Sequence, residues 1–469
     1  MAAKSISFIL IPLYTSLFSA ENIANINLLE SLWQYFFTIC LFSFETAIIA
    51  FCASEKDKDK VKTTIFTFFV LLITNSLIFI VLGYFFSKSI ANSILNDINL
   101  TNSVFYCFII SSFEALLVIP LTIARLQSKA ILYTIISISN LIINLVLQFY
   151  FLSFIKVEVD YIFISKAIAP LFLVLISLPY VIKNIKPTFN SNLLKNIYKF
   201  SFPLMAASLL AMLLNSVNRY ILVDFVSKPE VAIFTLGYSI GSVTNFFIVS
   251  PFFLAFSVIS WKKLEDDNAN RFFTKTSTYL FYVMIYVSII ISLFIPELVK
   301  IFILNPELWD SVGIVRIILF SNCIAALYFI SIQSYYFTKR TDLIFWVFTI
   351  CLSFNIITNY IFVRFYGVYG SAILSVLSYL LLIIISYNLA KRLYFIKFEK
   401  TKLHLLSIIY IIVTYICFYF KLDYSLPNIF IKILVILTFP FFLYLFHFYE
   451  FIELDRIKMI TKKIFRLKK

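Results

Sequence analysis

The sequence predicts an all-α fold, namely a polytopic integral membrane protein with about 14 transmembrane helices. Three observations support this fold class. Of the 469 residues, 62% are apolar or aromatic, only 13% carry a charge, and the mean hydropathy is +0.96. A soluble domain carries about 25% charged residues. Most of the surface of this chain must therefore face something other than water.

The membrane-spanning elements are predicted from continuous apolar runs, each near the roughly 20 residues that a helix needs to cross a 30 Å hydrocarbon layer. The runs lie at about 3–19, 30–53, 63–87, 103–123, 131–154, 161–182, 201–225, 232–258, 277–296, 312–337, 343–363, 369–390, 404–420 and 428–448. Because the runs do not alternate with a period of two, they favour helices over a β-barrel.

Two weak internal matches predict two lobes. The stretch LFSAENIANINL around residue 19 matches FVSKPEVAIFTL around residue 227, and the pair Asn140/Asn144 matches the pair Asn355/Asn359. We therefore predict six-helix lobes at 1–182 and 201–390, joined by a cytoplasmic linker at 183–200. Two additional helices at 391–448 and a basic amphipathic tail at 449–469 follow. The first run also resembles a secretory signal peptide, but its match in the repeat favours a structural span.

The net charge of +15 is explained by where the basic residues lie. If the N-terminus is cytoplasmic, 29 of the 39 lysines and arginines fall on the cytoplasmic side. The positive-inside rule then predicts that both termini are cytoplasmic, and the basic tail is predicted to lie on anionic membrane lipids. The charge therefore indicates topology, and it argues against a nucleic-acid partner.

Neither a metal site nor a cofactor is expected. The six cysteines are scattered through apolar runs without a Cys-x-x-Cys pair, which is typical of small hydrophobic residues in helices. His404 and His447 lie near span ends and far from any cysteine or carboxylate cluster.

Several segments resemble a known family. The stretch FPLMAASLLAMLLNSVNRYILVDFVSKPEVAIFTLGYSIG resembles the Pro-led helix, Asp-Arg pair and short v-G-x-Y loop of Wzx-type flippases. The stretch NYIFVRFYGVYGSAILSVLSY is similar to the P-x-Y-G-x-x-G-a-A turn of that family, and ISFILIPLYTSLFSAENIANINL to its opening helix and loop. These matches run in order from residue 6 to residue 390. The chain thus resembles the polysaccharide biosynthesis and O-antigen flippases of the multidrug/oligosaccharidyl-lipid/polysaccharide exporter superfamily.

The resemblance implies two helical bundles around a central cavity that opens alternately to the two sides of a bacterial inner membrane. It implies a polyprenyl-diphosphate-linked oligosaccharide as substrate, for O-antigen (lipopolysaccharide) or capsule assembly, with a polysaccharide polymerase and a chain-length regulator as further partners. Three positions depart from the family pattern. Asn218 stands where an aspartate is usual, Ala232 where a glycine is common, and Arg364 where the turn usually has proline.

The candidate site residues are polar or charged side chains within the predicted spans, because an intramembrane charge usually faces protein or water. Arg219 lies in span 7 with Asn215 one helical turn below it, so a cation and an amide share one face. The predicted substrate-binding residues are Arg219, Asn215, Asn218, Lys166, Arg125 and Arg316, and the predicted coupling or gating residues are Glu45, Glu114 and Asp224.

Some of these residues have an alternative interpretation. Arg125 and Arg316 lie near span ends, where long side chains can extend to the interface. Glu45 and Glu114 could form half of a salt bridge between the lobes, or they could bind a coupling proton. The Asn140/Asn144 and Asn355/Asn359 pairs are expected chiefly to make hydrogen bonds between helices.

Two further functions within transport stay open: a cation-coupled multidrug exporter and a flippase for peptidoglycan precursors. A drug exporter should carry carboxylates in its lobes and few cations in its cavity, whereas Arg219 and Lys166 favour an anionic head group. A membrane-bound polymerase or glycosyltransferase ranks lower, because such an enzyme would be expected to have a large loop outside the membrane. The sequence therefore predicts a transport protein and not an enzyme.

Overall fold

A computed structural model describes residues 17–18, 20–95, 97–264, 266–303, 306–419 and 426–450. Every regular element in these residues is a helix, and twelve segments are long and apolar enough to cross a membrane. The predicted all-α membrane fold is thereby confirmed. The predicted first span at 3–19 lies almost entirely outside the described residues, as does the predicted tail at 449–469.

The helices, numbered in chain order, are α1 (Ala20–Leu41), α2 (Phe44–Cys52), α3 (Lys58–Ile94), α4 (Thr101–Leu126), α5 (Ala130–Phe154), α6 (Val159–Lys183), α7 (Leu194–Val223), α8 (Lys228–Gly241), α9 (Ser250–Lys263), α10 (Ala269–Phe302), α11 (Ser311–Ser331), α12 (Gln333–Phe337), α13 (Thr341–Ala390), α14 (Lys400–Tyr419) and α15 (Leu426–Leu445). Short 3₁₀ turns at Ile98–Leu100, Ser191–Leu193 and Pro306–Leu308 and a π-helical turn at Asn245–Val249 lie between them.

Helix α13 is a hairpin of two spans. Gly367 has a φ of 52° and a ψ of −137°, a backbone conformation that side chains with a Cβ rarely adopt. Asn355 and Ser378 are joined by a hydrogen bond of 2.8 Å across the turn, whereas 23 residues of straight helix would separate them by about 35 Å. The chain therefore reverses at Gly367, and the predicted spans 343–363 and 369–390 are its two arms.

Two predicted spans differ from the observed helices. The run predicted to begin at residue 30 is helical from Ala20, and it is interrupted where Phe42 and Ser43 have φ values of 53° and 55°. The run predicted at 232–258 consists of α8, the π-helical turn and α9. Pro251 lies in the first turn of α9 and has no N–H to donate to the preceding turn, which favours such a local change of helix type.

Packing divides the described helices into two bundles. In the first bundle, α1–α6, helix α4 packs against α1, α3 and α6, and α5 packs on α6. In the second bundle, α7–α13, helix α11 packs against α8, α10 and α13, and α13 packs against α7. The bundles touch where α1 and α2 meet α7 and where α9 meets α2 and α4. The lobe boundaries remain a prediction.

The second bundle contains a close helix crossing. A Cβ placed on Gly237 or Gly241 of α8 would lie 2.8 Å from side-chain carbons of Ile314 or Ile318 on α11. Glycines four residues apart let two helix backbones approach in a membrane. The crossing holds α8 and α11 around the polar residues described below.

Helices α14 and α15 pack on the second bundle, mainly against α10. Within the membrane region, Lys432 of α15 forms an ion pair with Glu297 of α10, and both side chains are buried. Near the other end of α10, Lys275 pairs with Glu399 at 2.8 Å and also with Glu450. The hydrogen bond from Lys275 holds the pKa of Glu450 below its usual range. The two appended helices are thus attached to α10 at two levels.

Replacing Lys432 by methionine is expected to lower the free energy of unfolding by about 3–5 kcal/mol, because it leaves the Glu297 carboxylate buried without its partner. The double variant Glu297→Leu plus Lys432→Met should recover most of that loss, which thermal melts in detergent can measure. Lys156→Met, which removes an exposed pair with Glu158, is the control and should cost at most about 1 kcal/mol. Equal losses in the single and double variants would mean that the ion pair is not what matters at this position.

Candidate functional site

Arg219 is a partly buried cation near the C-terminal end of α7 in the second bundle. Its guanidinium carbon lies 5.0 Å from the centre of the Tyr238 ring, a cation–π distance. Its Nε atom is buried and has no hydrogen-bond partner among the described residues. No carboxylate in the described part of the chain forms an ion pair with it. Its charge is therefore available to an anion.

Asn215 lies one turn before Arg219 on the same face of α7, as the sequence predicted from spacing. Its Oδ1 atom accepts hydrogen bonds from the hydroxyls of Tyr238 (2.8 Å) and Tyr379 (2.7 Å), and its Nδ2 donates to the carbonyl of Ala211. The Asn215 side chain is exposed. A cation, an amide and two phenol groups therefore form one connected surface.

Asn218 lies beside Arg219 but points into the helix packing. It is 2% exposed, donates to the hydroxyl of Ser375 at 2.8 Å and accepts from Asn359 at 2.6 Å. The predicted interhelical role is confirmed for Asn355 and Asn359, because they reach Ser378 and Asn218 on other helical segments. Asn144 instead accepts a hydrogen bond from Gln148 of its own helix. This cluster is neutral. An aspartate at position 218, as the resemblance would imply, would place a negative charge next to Arg219.

A cavity of about 330 Å³ opens beside Asn215 within the second bundle. Its lining comes from α7, the π-helical turn, α9, α11, α12 and α13 and includes no carboxylate or basic side chain. A larger groove of about 700 Å³ lies against the first half of α10 and is lined by Arg271 and Lys275 together with apolar residues. Both of these cations are paired with carboxylates. The smaller cavity adjoins the unpaired Arg219 surface.

The first bundle holds a separate charged cluster. Lys166 of α6 is buried and forms an ion pair with Glu30 of α1, and its Nζ lies 5.4 Å from the ring centres of Trp33 and Phe163. Glu114 of α4 lies within electrostatic reach of Lys166. Unlike Arg219, Lys166 is already neutralised by a carboxylate.

Arg125 connects the two bundles. It forms an ion pair with Glu45 of its own bundle, and its Nη2 donates to the Leu254 carbonyl at 2.9 Å and the Ser257 hydroxyl at 2.6 Å on α9. We call this group (Glu45, Arg125, Leu254 and Ser257) the latch. It lies near the loops at 53–57, 127–129, 184–193, 266–268, 338–340 and 391–399. Of the 39 lysines and arginines, 21 lie in these loops or within seven residues of them, so we call this side of the molecule the basic face.

Further contacts close the basic face around the latch. Lys262 of α9 donates to the Ser128 hydroxyl at 3.0 Å, and Lys339 lies 4.1 Å from the ring centre of Phe51. Deeper in the molecule, Thr38 of α1 contacts the Met212 sulfur of α7 at 3.5 Å. The bundles therefore touch from the basic face to about mid-depth.

Two predicted site residues lie apart from these groups. Arg316 donates to the Ser292 carbonyl of α10 at 3.2 Å, and its own carbonyl accepts from Tyr410 of α14. It thus faces the appended helices. Asp224 is the exposed C-cap residue of α7. The structure brings together Arg219 with Asn215, Lys166 with Glu114, and Arg125 with Glu45.

Sequence reasoning missed several residues of these clusters. Glu30 is the first residue of the predicted span 30–53, but α1 begins ten residues earlier, which places Glu30 about 15 Å along the helix. Lys432 lies inside a predicted span and could have been noticed there. Tyr238 and Tyr379 could not be singled out, because the chain has 29 tyrosines. No group of three potential metal ligands occurs among the described residues.

The fold is that of known transporters. A mutant of the Vibrio cholerae MATE transporter VcmN aligns with a TM-score of 0.69 and 13% identity, covering 83% of this chain and 92% of that one. An outward-facing multidrug resistance MATE family transporter of the MOP superfamily aligns at 0.67 and 12%, with the same coverage. A Pyrococcus furiosus MOP superfamily transporter, described by a binding pocket of reversed polarity that suggests a different function, aligns at 0.68 and 13%, covering 83% and 92%.

The sequence itself adds no closer relative. No protein-family model matches the chain, and no curated protein matches it. The class defined by the fold is therefore a multi-pass helical membrane protein with the fold of MATE transporters. The substrate has to be argued from the site, because one fold serves several functions.

Proposed function

We propose that this chain is a flippase that moves a polyprenyl-diphosphate-linked oligosaccharide, such as an O-antigen or capsule repeat unit, across a bacterial inner membrane. The lipid tail of such a substrate can stay in the bilayer. Its diphosphate and sugars need a wet, polar path, because an unsatisfied charge or polar group in hydrocarbon is costly. The space between the two bundles is that path, and it opens alternately to each side.

The observation that carries the proposal is the pattern of paired and unpaired cations in the two bundles. Lys166 and Arg125 are each paired with a carboxylate, whereas Arg219 is not paired with one among the described residues. Around Arg219 the polar groups are amides and hydroxyls. A guanidinium with free donors binds phosphate oxygens in a bidentate manner, and the neutral groups suit sugar hydroxyls.

The latch supports alternating access. Its hydrogen bonds hold the basic face closed, and by the positive-inside rule that face is the cytoplasmic one. In the proposed cycle, this arrangement is the state in which the route from the cytoplasm is shut. We assign ion coupling to the Glu30–Lys166–Glu114 cluster, since protonation of either carboxylate would change the net charge of a buried group.

A second candidate function is export of an amphiphilic organic cation. Glu30 and Glu114 favour it, because they place two carboxylates in the first bundle. Lys166 offsets one of those negative charges, and Arg219 in the second bundle would repel a cation. The charge balance therefore favours the anionic substrate.

Transport by purified protein in proteoliposomes tests the proposal. Wild-type protein is expected to move a fluorescent polyprenyl-diphosphate glycan between leaflets, detected as loss of access to a membrane-impermeant quencher, and to leave ethidium uptake at the level of empty liposomes. Heat-inactivated protein is the control. Ethidium transport without glycan movement would establish the cation exporter instead.

A further inference from the structure

The cavity beside Asn215 contains polar groups that the protein itself does not satisfy. Tyr328 belongs to its lining, with a side chain that carries one hydroxyl and is 5% exposed. Neither this hydroxyl nor Asn245 Oδ1, which also belongs to the lining, has a hydrogen-bond partner among the described residues. Buried polar groups are nearly always hydrogen-bonded. Two unpartnered groups in one cavity indicate a ligand that supplies hydroxyl groups or amides.

The helix geometry holds these two groups in place. Asn245 begins the π-helical turn, and its Nδ2 is fixed by a 2.8 Å hydrogen bond to Asn322 Oδ1, so Oδ1 remains as an acceptor. The Tyr328 ring packs edge-on against Phe348 at 5.4 Å. Both groups are therefore positioned before any ligand arrives, which lowers the entropic cost of binding.

The remaining lining matches one sugar ring. Phe329, Tyr336 and Tyr379 add aromatic surface, and Ser208 and Ser250 add hydroxyls. A volume of about 330 Å³ lies at the small end of ligand pockets, so the cavity has room for a small ring but not for a whole oligosaccharide. Divalent and other hard cations prefer carboxylate ligands. The lining has no carboxylate, so it does not suit such a cation.

The cavity is correctly placed relative to the anion site. Asn215 lies at its edge and Arg219 lies one turn further along α7, a rise of about 6 Å. A diphosphate on Arg219 would therefore direct the sugar attached to it toward the cavity, on the side nearer the basic face. Tyr379 both lines the cavity and bonds Asn215, so the two sites share a wall.

We propose that this cavity binds one neutral sugar residue of the head group, the one next to the diphosphate, and thereby sets sugar selectivity. The inference rests on the proposed flippase function. Tyr328 donates its hydroxyl hydrogen to the sugar, and Asn245 Oδ1 accepts a hydrogen bond from it. The aromatic side chains cover the apolar face of the ring.

The test compares transport of three probes by the full-length protein in proteoliposomes: undecaprenyl diphosphate, and the same lipid carrying glucose or N-acetylglucosamine. Wild-type protein should move at least one sugar-bearing probe faster than the sugar-free one. Tyr328→Phe and Asn245→Ala should each lower that ratio about 3- to 10-fold, the loss expected for one hydrogen bond, with the sugar-free rate unchanged. Tyr335→Phe removes a buried hydroxyl that bonds the Ser386 carbonyl outside the cavity, and it should leave the ratio unchanged.

Two results would overturn the inference while leaving the flippase function intact. The first is an unchanged ratio in Tyr328→Phe, a variant that keeps the ring packing, even if Asn245→Ala fails to fold. The second is a variant effect that appears only when Na⁺ replaces K⁺ in the buffer, which would assign the cavity to a cation. Movement of none of the three probes by wild-type protein would refute the flippase proposal and this inference together.

Discussion

Replacing Arg219 by alanine is expected to lower the rate of transport of a polyprenyl-diphosphate glycan about 10- to 100-fold, because a hydrogen bond to a charged group contributes about 1.5–3 kcal/mol. Folding should be little affected. The residue has no ion pair among the described residues, and its ring contact with Tyr238 contributes about 0.5–2 kcal/mol. The rate is measured in proteoliposomes with matched amounts of protein.

Arg219→Lys separates charge from geometry. Lysine keeps the charge but loses the planar pair of donors, so an intermediate rate is expected. Arg340→Ala is the matched control, because it removes an exposed arginine that pairs with Asp342 on the basic face; its rate should equal that of wild type. A fully active Arg219→Ala protein would show that Arg219 does not bind the anionic head group.

Replacing Arg125 by alanine is expected to open the basic face. The substitution removes two charge-assisted hydrogen bonds to Leu254 and Ser257, each about 1.5–3 kcal/mol, and these bonds join the two bundles. The ratio of closed to open molecules should fall at least about tenfold. Spin labels at Ser128 and Lys262, whose side chains now touch, should show a new population at longer distance.

The matched variants for the latch are Ser257→Ala and Lys156→Ala. Ser257→Ala removes one of the two acceptors and should shift the distances in the same direction by a smaller amount. Lys156→Ala removes an exposed ion pair with Glu158 within the first bundle and should leave the distances unchanged. The six native cysteines are all buried, so they should react little with the spin label. An unchanged distance distribution in Arg125→Ala would show that the latch does not hold the bundles together.

The fold class could be predicted because hydropathy acts on whole spans. The prediction of a membrane span uses about 20 residues at once. A single atypical residue therefore does not change it. The turn at Gly367 could also be predicted, because a glycine between two apolar runs can adopt a positive φ. Span ends were less predictable. Ala20 begins α1 well before the apolar run, because polar residues are tolerated in a helix that extends beyond the hydrocarbon.

The site could be predicted only where residues share one helix. Arg219 and Asn215 lie four residues apart, and helical geometry alone places them on one face. Arg316 and Arg219 are both arginines in predicted spans, but Arg316 contacts α10 and α14 instead of the Asn215 surface. The direction in which a charge points depends on packing between helices far apart in the chain, and local pattern does not record it. The Lys166–Glu30 pair could not be predicted for the same reason, because its two residues lie 136 positions apart.

The π-helical turn is the clearest feature that the sequence did not reveal. Its residues belong to an apolar run predicted as one helix, and only Pro251 marks the change. That turn places Asn245 at the cavity. π-helical turns frequently occur at functional sites, which is consistent with the role proposed for Asn245 here.

The central claim is that the Arg219 surface of the second bundle binds a lipid diphosphate, and equilibrium binding tests it most directly. Purified protein in detergent is titrated with fluorescent undecaprenyl diphosphate, and inorganic pyrophosphate is added as a competitor. We expect saturable binding to wild-type protein, displacement by pyrophosphate, and at least about tenfold weaker binding to Arg219→Ala. Equal affinity of wild type and Arg219→Ala, with no displacement by pyrophosphate, would contradict the account.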